Sequence, residues 1–165
     1  MVFFNQTANF FYQCPDDLVD LDSGVICLPD NYGSGKGEKE AKMRVTHPAN
    51  FDQWARLSQD SYNLEKAKWE QTILENALQY LPGGVNNSTE LNQKTCLLDT
   101  FTPKTVKRFT SHINGTLYGS PTKRRDGSTK YKNLYLAGTD QGYVGIVGAM
   151  LGGIAVANNQ ILRST

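Results

Sequence analysis

The sequence predicts an α/β chain of mixed α+β character. Strand-like segments joined by tight turns crowd its first part. A helical apolar stripe runs through about residues 61–80. Near the end a short strand, a glycine-rich turn and an apolar helix follow one another. With 165 residues the chain is about one ordinary domain, long enough to bury a sizeable core. Its 39% hydrophobic and 20% charged residues make it globular rather than disordered.

Residues 3–12 are rich in Phe, Tyr and Asn, and residues 17–28 are strand-like with a turn at Asp22-Ser23-Gly24. Residues 31–42 form a polar loop. Its glycines at 33, 35 and 37 fail as a phosphate loop, because Glu38 breaks G-x-G-x-x-G and Gly37 follows Lys36 where Ser or Thr is needed. Met43 to Thr46 reads as a short strand. Asn50-Phe51-Asp52-Gln53 fits a capping box, opening a short helix that carries Phe51, Trp54 and Leu57. In the longer helix, Trp69, Ile73 and Ala77 recur at four-residue spacing, and Leu74, Leu78 and Leu81 continue the stripe. Glu65, Lys66, Lys68 and Glu70 take the other side, and Pro82-Gly83-Gly84 ends it. A polar loop follows. Thr102 is then an N-cap with Pro103 at the first helical position, and Lys104, Lys107 and Arg108 face solvent on that helix. Residues 115–121 form a glycine-framed loop. Lys123-Arg124-Arg125, followed by Asp126-Gly127, reads as a solvated turn.

A net charge of +1, from 17 Lys and Arg against 16 Asp and Glu, gives no electrostatic footprint for nucleic acid. Cys14, Cys27 and Cys96 lack C-x-x-C spacing and lie far from His47 and His112, so no metal site is expected. An odd thiol count fits a reducing compartment. The N-x-[ST] matches at Asn5, Asn86, Asn87 and Asn114 matter only in a secreted chain. The first residues lack a basic start and a long apolar stretch, which makes a poor signal peptide. Gly142 to Ala157 is the most apolar part of an uncharged run. Its 16 residues include five glycines, and a spanning helix wants about 20. A buried core helix is therefore favoured over a membrane span. The expected location is cytoplasmic or at a membrane periphery.

The segment Asn133-Leu134-Tyr135-Leu136-Ala137-Gly138-Thr139-Asp140-Gln141-Gly142 and its continuation to Asn158 carries the chemistry. It predicts a strand over 133–138, Asp140 in a turn, and a helix over about 145–161. Strand, Gly/Asp turn and helix N-terminus can meet a cofactor's polar groups with backbone N–H donors and a positive dipole end. With Leu28-Pro29-Asp30-Asn31-Tyr32, Asp99 to Thr105 and Gly115-Thr116-Leu117-Tyr118-Gly119-Ser120, in this order, it resembles the C-terminal part of the phytoene desaturase and retinol saturase family of FAD-dependent oxidoreductases.

That resemblance implies the C-terminal portion of a two-domain FAD-linked fold. Residues 1–112 would be the latter part of a substrate domain, and residues 113–165 the return to the FAD domain. This sequence lacks the N-terminal dinucleotide fingerprint and the acidic residue that should follow it. The implied substrate is an apolar polyene, a carotenoid or a retinoid, and peripheral membrane attachment is compatible with it. The missing N-terminal FAD-binding portion is the implied partner.

Gly138, Gly142 and Gly145 would let the backbone approach FAD; their alternative role is turn geometry with φ > 0. Thr139 belongs to the same turn. Asp140 would accept from a ribityl or ribose hydroxyl, or else cap the turn. Amides near Gly145, Ile146 and Val147 would face the electron-rich edge of the flavin. Gly148, Ala149, Gly152 and Gly153 would allow close packing of the helix. Tyr118 would line a substrate cavity or sit in the core. No catalytic acid or base stands out, since the cofactor carries the redox chemistry; His47 and His112 read as ordinary surface or hydrogen-bonded histidines.

Two alternatives stand beside this reading. One is a non-catalytic fragment or partner-binding segment without FAD. The other is a flavin oxidase of the same superfamily acting on amines or other small molecules. The chain alone is expected to be catalytically silent and poorly soluble, because the run from Gln141 to Leu162 would expose an apolar patch without the rest of its fold.

Overall fold

Three short strands pair antiparallel in the order β1-β2-β3: β1 is Val2–Asn5, β2 Ser23–Cys27 and β3 Arg44–Thr46. The computed structural model describes residues 1–8, 13–32, 41–81, 88–117 and 122–163. The glycine loop at 33–37, the Pro82-Gly83-Gly84 stop and Tyr118 with Gly119 to Pro121 lie outside those residues. The chain is mixed α+β. It divides into two compact units, residues 1–104 and 105–165.

In the first unit the register sets Val2 opposite Ile26 and Ile26 opposite Val45, so apolar side chains share one face of the sheet. Phe4 and Ile26 on the sheet, with Ala77, form the centre of a buried cluster. The Phe4 ring stacks on Tyr80, with centroids 4.1 Å apart. It also lies over Gly24, where a Cβ would come within 2.7 Å of the ring.

Helix α1 spans Phe51–Arg56, and the Asn50 side chain accepts from the Gln53 amide at 3.0 Å. Only half of the expected capping box forms. The Asn50 amide donates instead to the Leu18 carbonyl at 3.1 Å, and the Gln53 side chain reaches the Asp16 carbonyl at 3.4 Å. These bonds tie the loop before β2 to the helix start, and the Trp54 indole donates to Leu18 O at 2.9 Å. Trp54 is buried at 2% exposure.

Helix α2, Gln59–Leu78, begins two residues before the expected start, because Ser58 caps it and accepts from the Ser61 amide. Leu74 and Ala77 of its stripe are buried; Trp69, Ile73 and Leu78 are half-buried. The predicted polar loop contains a helix, α3, Ser88–Lys94. An acid in its first turn, a base in its last and a Lys94–Glu90 contact of 2.5 Å favour helix there over loop.

Helix α4 is Pro103–Thr110, starting at the expected proline. Thr102 is buried, with its hydroxyl 2.9 Å from that of Tyr62. Lys104 departs from the solvent-facing expectation. Its ammonium sits 4.6 Å from the Tyr62 ring centroid, where the π face attracts the cation. Lys107 and Arg108 are exposed.

In the second unit residues 133–138 do not form a strand. Tyr135 makes one isolated bridge with Ser128, and the Leu136 amide donates to Gly127 O at 2.8 Å. A ladder needs a partner along its length. Here Asn133 at φ 61° and Gly138 at φ 119° bracket the segment. One turn of 3₁₀ helix follows at Thr139–Gln141. Helix α5 then spans Gly145–Val156 and continues as π-helical turns over Ala157–Leu162.

Among the described residues α5 is not the buried core helix that the sequence favoured. Only Gly148 and Gly152 along it are buried, while Ile146, Val147, Met150, Leu151 and Ile154 are each more than half exposed. Apolar residues surround it, and the second unit offers too little opposing apolar surface to cover them. By length and composition Gly145–Leu162 is long and apolar enough to cross a membrane.

Candidate cofactor site

Backbone conformation shapes the candidate site. Gly138, Gly142 and Gly145 all have positive φ, at 119°, 97° and 76°. Side chains rarely tolerate such angles, so glycine is demanded at each corner of the path from Leu136 into α5. Nothing lies within 4 Å of where a Cβ would stand at Gly138 or Gly145. The demand there is conformational, and open space adjoins both residues. Gly148 and Gly152 hold the turn against the helix. A Cβ at Gly148 would meet the Tyr143 carbonyl carbon at 2.6 Å, and one at Gly152 would lie 3.4 Å from the Gly138 nitrogen. Gly153 faces open space, so the expected packing role falls on only two of the glycines.

Thr139 and Asp140 belong to the 3₁₀ turn between Gly138 and Gly142. The Asp140 side chain is 40% exposed, which leaves the carboxylate able to accept from a ligand hydroxyl. Gly145, Ile146 and Val147 form the first residues of α5, and no side chain caps that end. Its first amides and the positive end of its dipole can receive an electron-rich group. The six sequence-predicted positions therefore lie along one continuous turn and helix start.

Sequence reasoning passed over two neighbours of Asp140. His112 Nε2 lies 3.7 Å from Asp140 Oδ2, an ion pair when the imidazole is protonated. Its Nδ1–H donates to the Thr116 carbonyl at 2.7 Å, which fixes the ring with Nε2 toward the acid. Lys123 Nζ donates to the Asp140 carbonyl at 3.0 Å. Neither contact has a signature in sequence spacing. The one available signal is the basic run at 123–125, whose sequence reads as a solvated turn.

That turn is anchored along α5. The Gly127 amide donates to Arg124 O at 2.9 Å, and Gln160 Nε2 donates to Asp126 O at 3.2 Å. Gly127 stands at φ 69°, where a Cβ would meet Val156 Cγ2 at 2.3 Å and Leu136 O at 2.4 Å. Hydrogen bonds from the Ser128 amide and hydroxyl hold the exposed Asp126 carboxyl below the usual carboxylate range.

The near-zero overall charge conceals a division. Residues 1–104 carry nine Lys and Arg against fourteen Asp and Glu, and residues 105–165 carry eight against two. The candidate site lies in the basic unit.

The first unit has its own open cleft of about 320 Å³, where Leu57, Glu65, Lys68 and Trp69 meet Asp16 to Leu18. None of the sequence-predicted site residues lines it. His47, also in this unit, donates through Nδ1–H to the carbonyls of Asp20 and Ser23 at 2.8 and 2.9 Å. Burial lowers its pKa below the ordinary imidazole value, against the opposing effect of those two bonds. Among the described residues no group of three or more His, Cys, Asp or Glu could hold a metal ion.

No protein-family model, curated protein or solved structure matches this chain.

Proposed function

We propose that this chain is the C-terminal portion of an FAD-dependent oxidoreductase acting on an apolar polyene, a carotenoid or retinoid. The reading rests on the ordered resemblance of its segments to the phytoene desaturase and retinol saturase family. The observation that carries it is the triplet of positive-φ glycines, 138, 142 and 145, enclosing Asp140 and leading into an uncapped helix start. Open space beside Gly138 and Gly145, and an accessible Asp140 carboxylate, fit a polyol bearing an electron-rich ring.

Bound flavin would supply the redox chemistry. Asp140 would accept from a ribityl hydroxyl and orient the chain of the cofactor. The amides of Ile146 and Val147 would donate toward the electron-rich edge of the ring. Gly138 and Gly145, lacking side chains, would let that ring approach the backbone. In the parent fold the exposed faces of α5 would pack against the N-terminal FAD-binding portion, with residues 1–112 completing the substrate domain and residues 113–165 the FAD domain.

The exposure of α5 favours a second statement about the chain by itself: it is a partner-requiring segment that is catalytically silent alone. Titration with FAD, read by flavin fluorescence polarisation, tests the site. Asp140→Ala is expected to weaken binding by about 1–3 kcal/mol if the hydroxyl contact is buried in the complex. Binding that is unchanged in both Asp140→Ala and Gly145→Leu would remove the site assignment.

A further inference from the structure

The open cleft of the first unit has polar groups that its own residues do not satisfy. One wall is the segment 15–18, pinned to α1 through its backbone. The Pro15 carbonyl accepts from Asn50 Nδ2 at 2.7 Å, and the Asp16 carbonyl accepts from Gln53 Nε2 at 3.4 Å. The Leu18 carbonyl takes the Trp54 indole at 2.9 Å and the Asn50 amide at 3.1 Å. These bonds use main-chain oxygens only. The carboxylates of Asp16 and Asp17 are left on the cleft, and no described residue pairs with either. From α2 come Glu65, Lys68 and Trp69. Glu65 and Lys68 pair with each other at 3.4 Å. The lining therefore sets three carboxylates against one ammonium, and that ammonium is already engaged. The Trp69 indole nitrogen is buried and, among the described residues, donates to nothing. A buried donor left without an acceptor is costly, and a ligand that supplies one recovers that loss.

We infer that this cleft docks a basic peptide segment, through one arginine side chain and its adjoining amide. Charge, shape and hydrogen bonding each select that occupant. The guanidinium presents a planar fork of donors to the Asp16 and Asp17 carboxylates. Its aliphatic stem is apolar and matches the surface of Leu18, Leu57 and the Trp69 ring. The peptide carbonyl next to that stem gives the Trp69 N–H an acceptor. A volume of about 320 Å³ suits one such side chain with its amide rather than a long segment. The unit around it is acidic, with fourteen Asp and Glu against nine Lys and Arg, which draws a cationic partner toward it. The inference is independent of the flavin reading, because none of the residues assigned to that site lines this cleft.

Full-length chain, isotope-labelled at its tryptophan nitrogens, gives one indole resonance from Trp54 and one from Trp69, and W69F assigns them. Titration with Nα-acetyl-arginine N-methylamide is expected to move the Trp69 resonance saturably. Trp54, whose indole is committed to Leu18, should move less. The citrulline analogue keeps the shape without the charge and is expected to bind about tenfold more weakly or worse. Agmatine keeps the charge without the carbonyl and should also bind more weakly. D16N/D17N removes both charges at exposed positions and should bring the arginine probe down to the citrulline level. D22N, removing an exposed acid outside the cleft, should change nothing. A Trp69 resonance that stays still, equal binding of the arginine and citrulline probes, or binding unchanged in D16N/D17N overturns the inference. Agmatine that binds as tightly as the arginine probe overturns the peptide assignment and makes the occupant a free amine.

Discussion

The two units bury different things. Among the described residues every buried hydrophobic side chain, from Phe4 and Val19 through Ile26 and Trp54 to Leu74 and Ala77, belongs to residues 1–104. Among the described residues of 105–165 the buried positions are Gly127, Gln141, Gly148 and Gly152. Yet the second unit holds the most apolar stretch of the sequence. One unit has brought its apolar faces together across a sheet and a helix. The other has folded its backbone tightly, by glycine contacts, and left its apolar side chains outward. Hydropathy describes what a segment would gain by burial, and only an opposing surface delivers that gain. The second unit leaves that apolar surface uncovered.

The comparison breaks most easily at Trp54. Trp54→Ala removes a side chain at 2% exposure and takes one of two donors from the Leu18 carbonyl, which keeps the Asn50 amide, and is expected to cost about 3–5 kcal/mol. Denaturant unfolding followed by circular dichroism measures it; a loss below about 1 kcal/mol would mean that the first unit lacks the core ascribed to it.

Gly127→Ala probes the tightest backbone contact of the second unit. Positive φ and the collision with Val156 and Leu136 predict a cost of about 1–3 kcal/mol. Hydrogen exchange at the Leu136 amide, which donates to Gly127 O, should speed up accordingly. Unchanged protection would show that the basic turn is not anchored to α5.

A smaller effect is due at the start of α1. Asn50→Ala should cost about 1 kcal/mol through loss of the cap to Gln53, read as a shift in the denaturation midpoint. A Gln53→Ala variant should matter less, because the Gln53 side chain does not return to the Asn50 amide.

His47 adds a pH dependence. Its Nδ1–H is committed to two carbonyls, so acid must protonate Nε2, which is buried without a partner. The folded pKa is lowered, so the unfolded chain takes up the proton first as pH falls. The contribution to stability is full above the ordinary value of 6.5 and is lost as pH falls through the folded value. His47→Gln should flatten that part of the stability–pH profile, and a profile of unchanged slope would refute the assignment.

The smallest expected change is the most telling one. Ile146→Ser with Ile154→Ser should alter stability by no more than about 0.5 kcal/mol, since both side chains are already exposed. Denaturant unfolding followed by circular dichroism measures it. A large loss of stability would show α5 covered in the folded chain and erase the contrast between the units.

Much of the local structure was legible. Asn50, Pro103 and the glycines at 138, 142 and 145 act within a few residues of themselves, through caps and φ preferences, and the helix over 145–161 follows from the same local rules. The strand at 133–138 failed because a strand is defined by its neighbour, and Tyr135 finds only Ser128. Helix α3 was hidden because its seven residues have too little apolar periodicity to register. By itself the sequence determined the glycine corners at 138, 142 and 145 and the starts of α1 and α4, because caps and φ preferences act locally. Tertiary structure alone decided that Lys123 and His112 flank Asp140, that charge separates between the units, and that one apolar helix stays uncovered. Those outcomes depend on contacts between residues distant in the chain, and no local propensity encodes them.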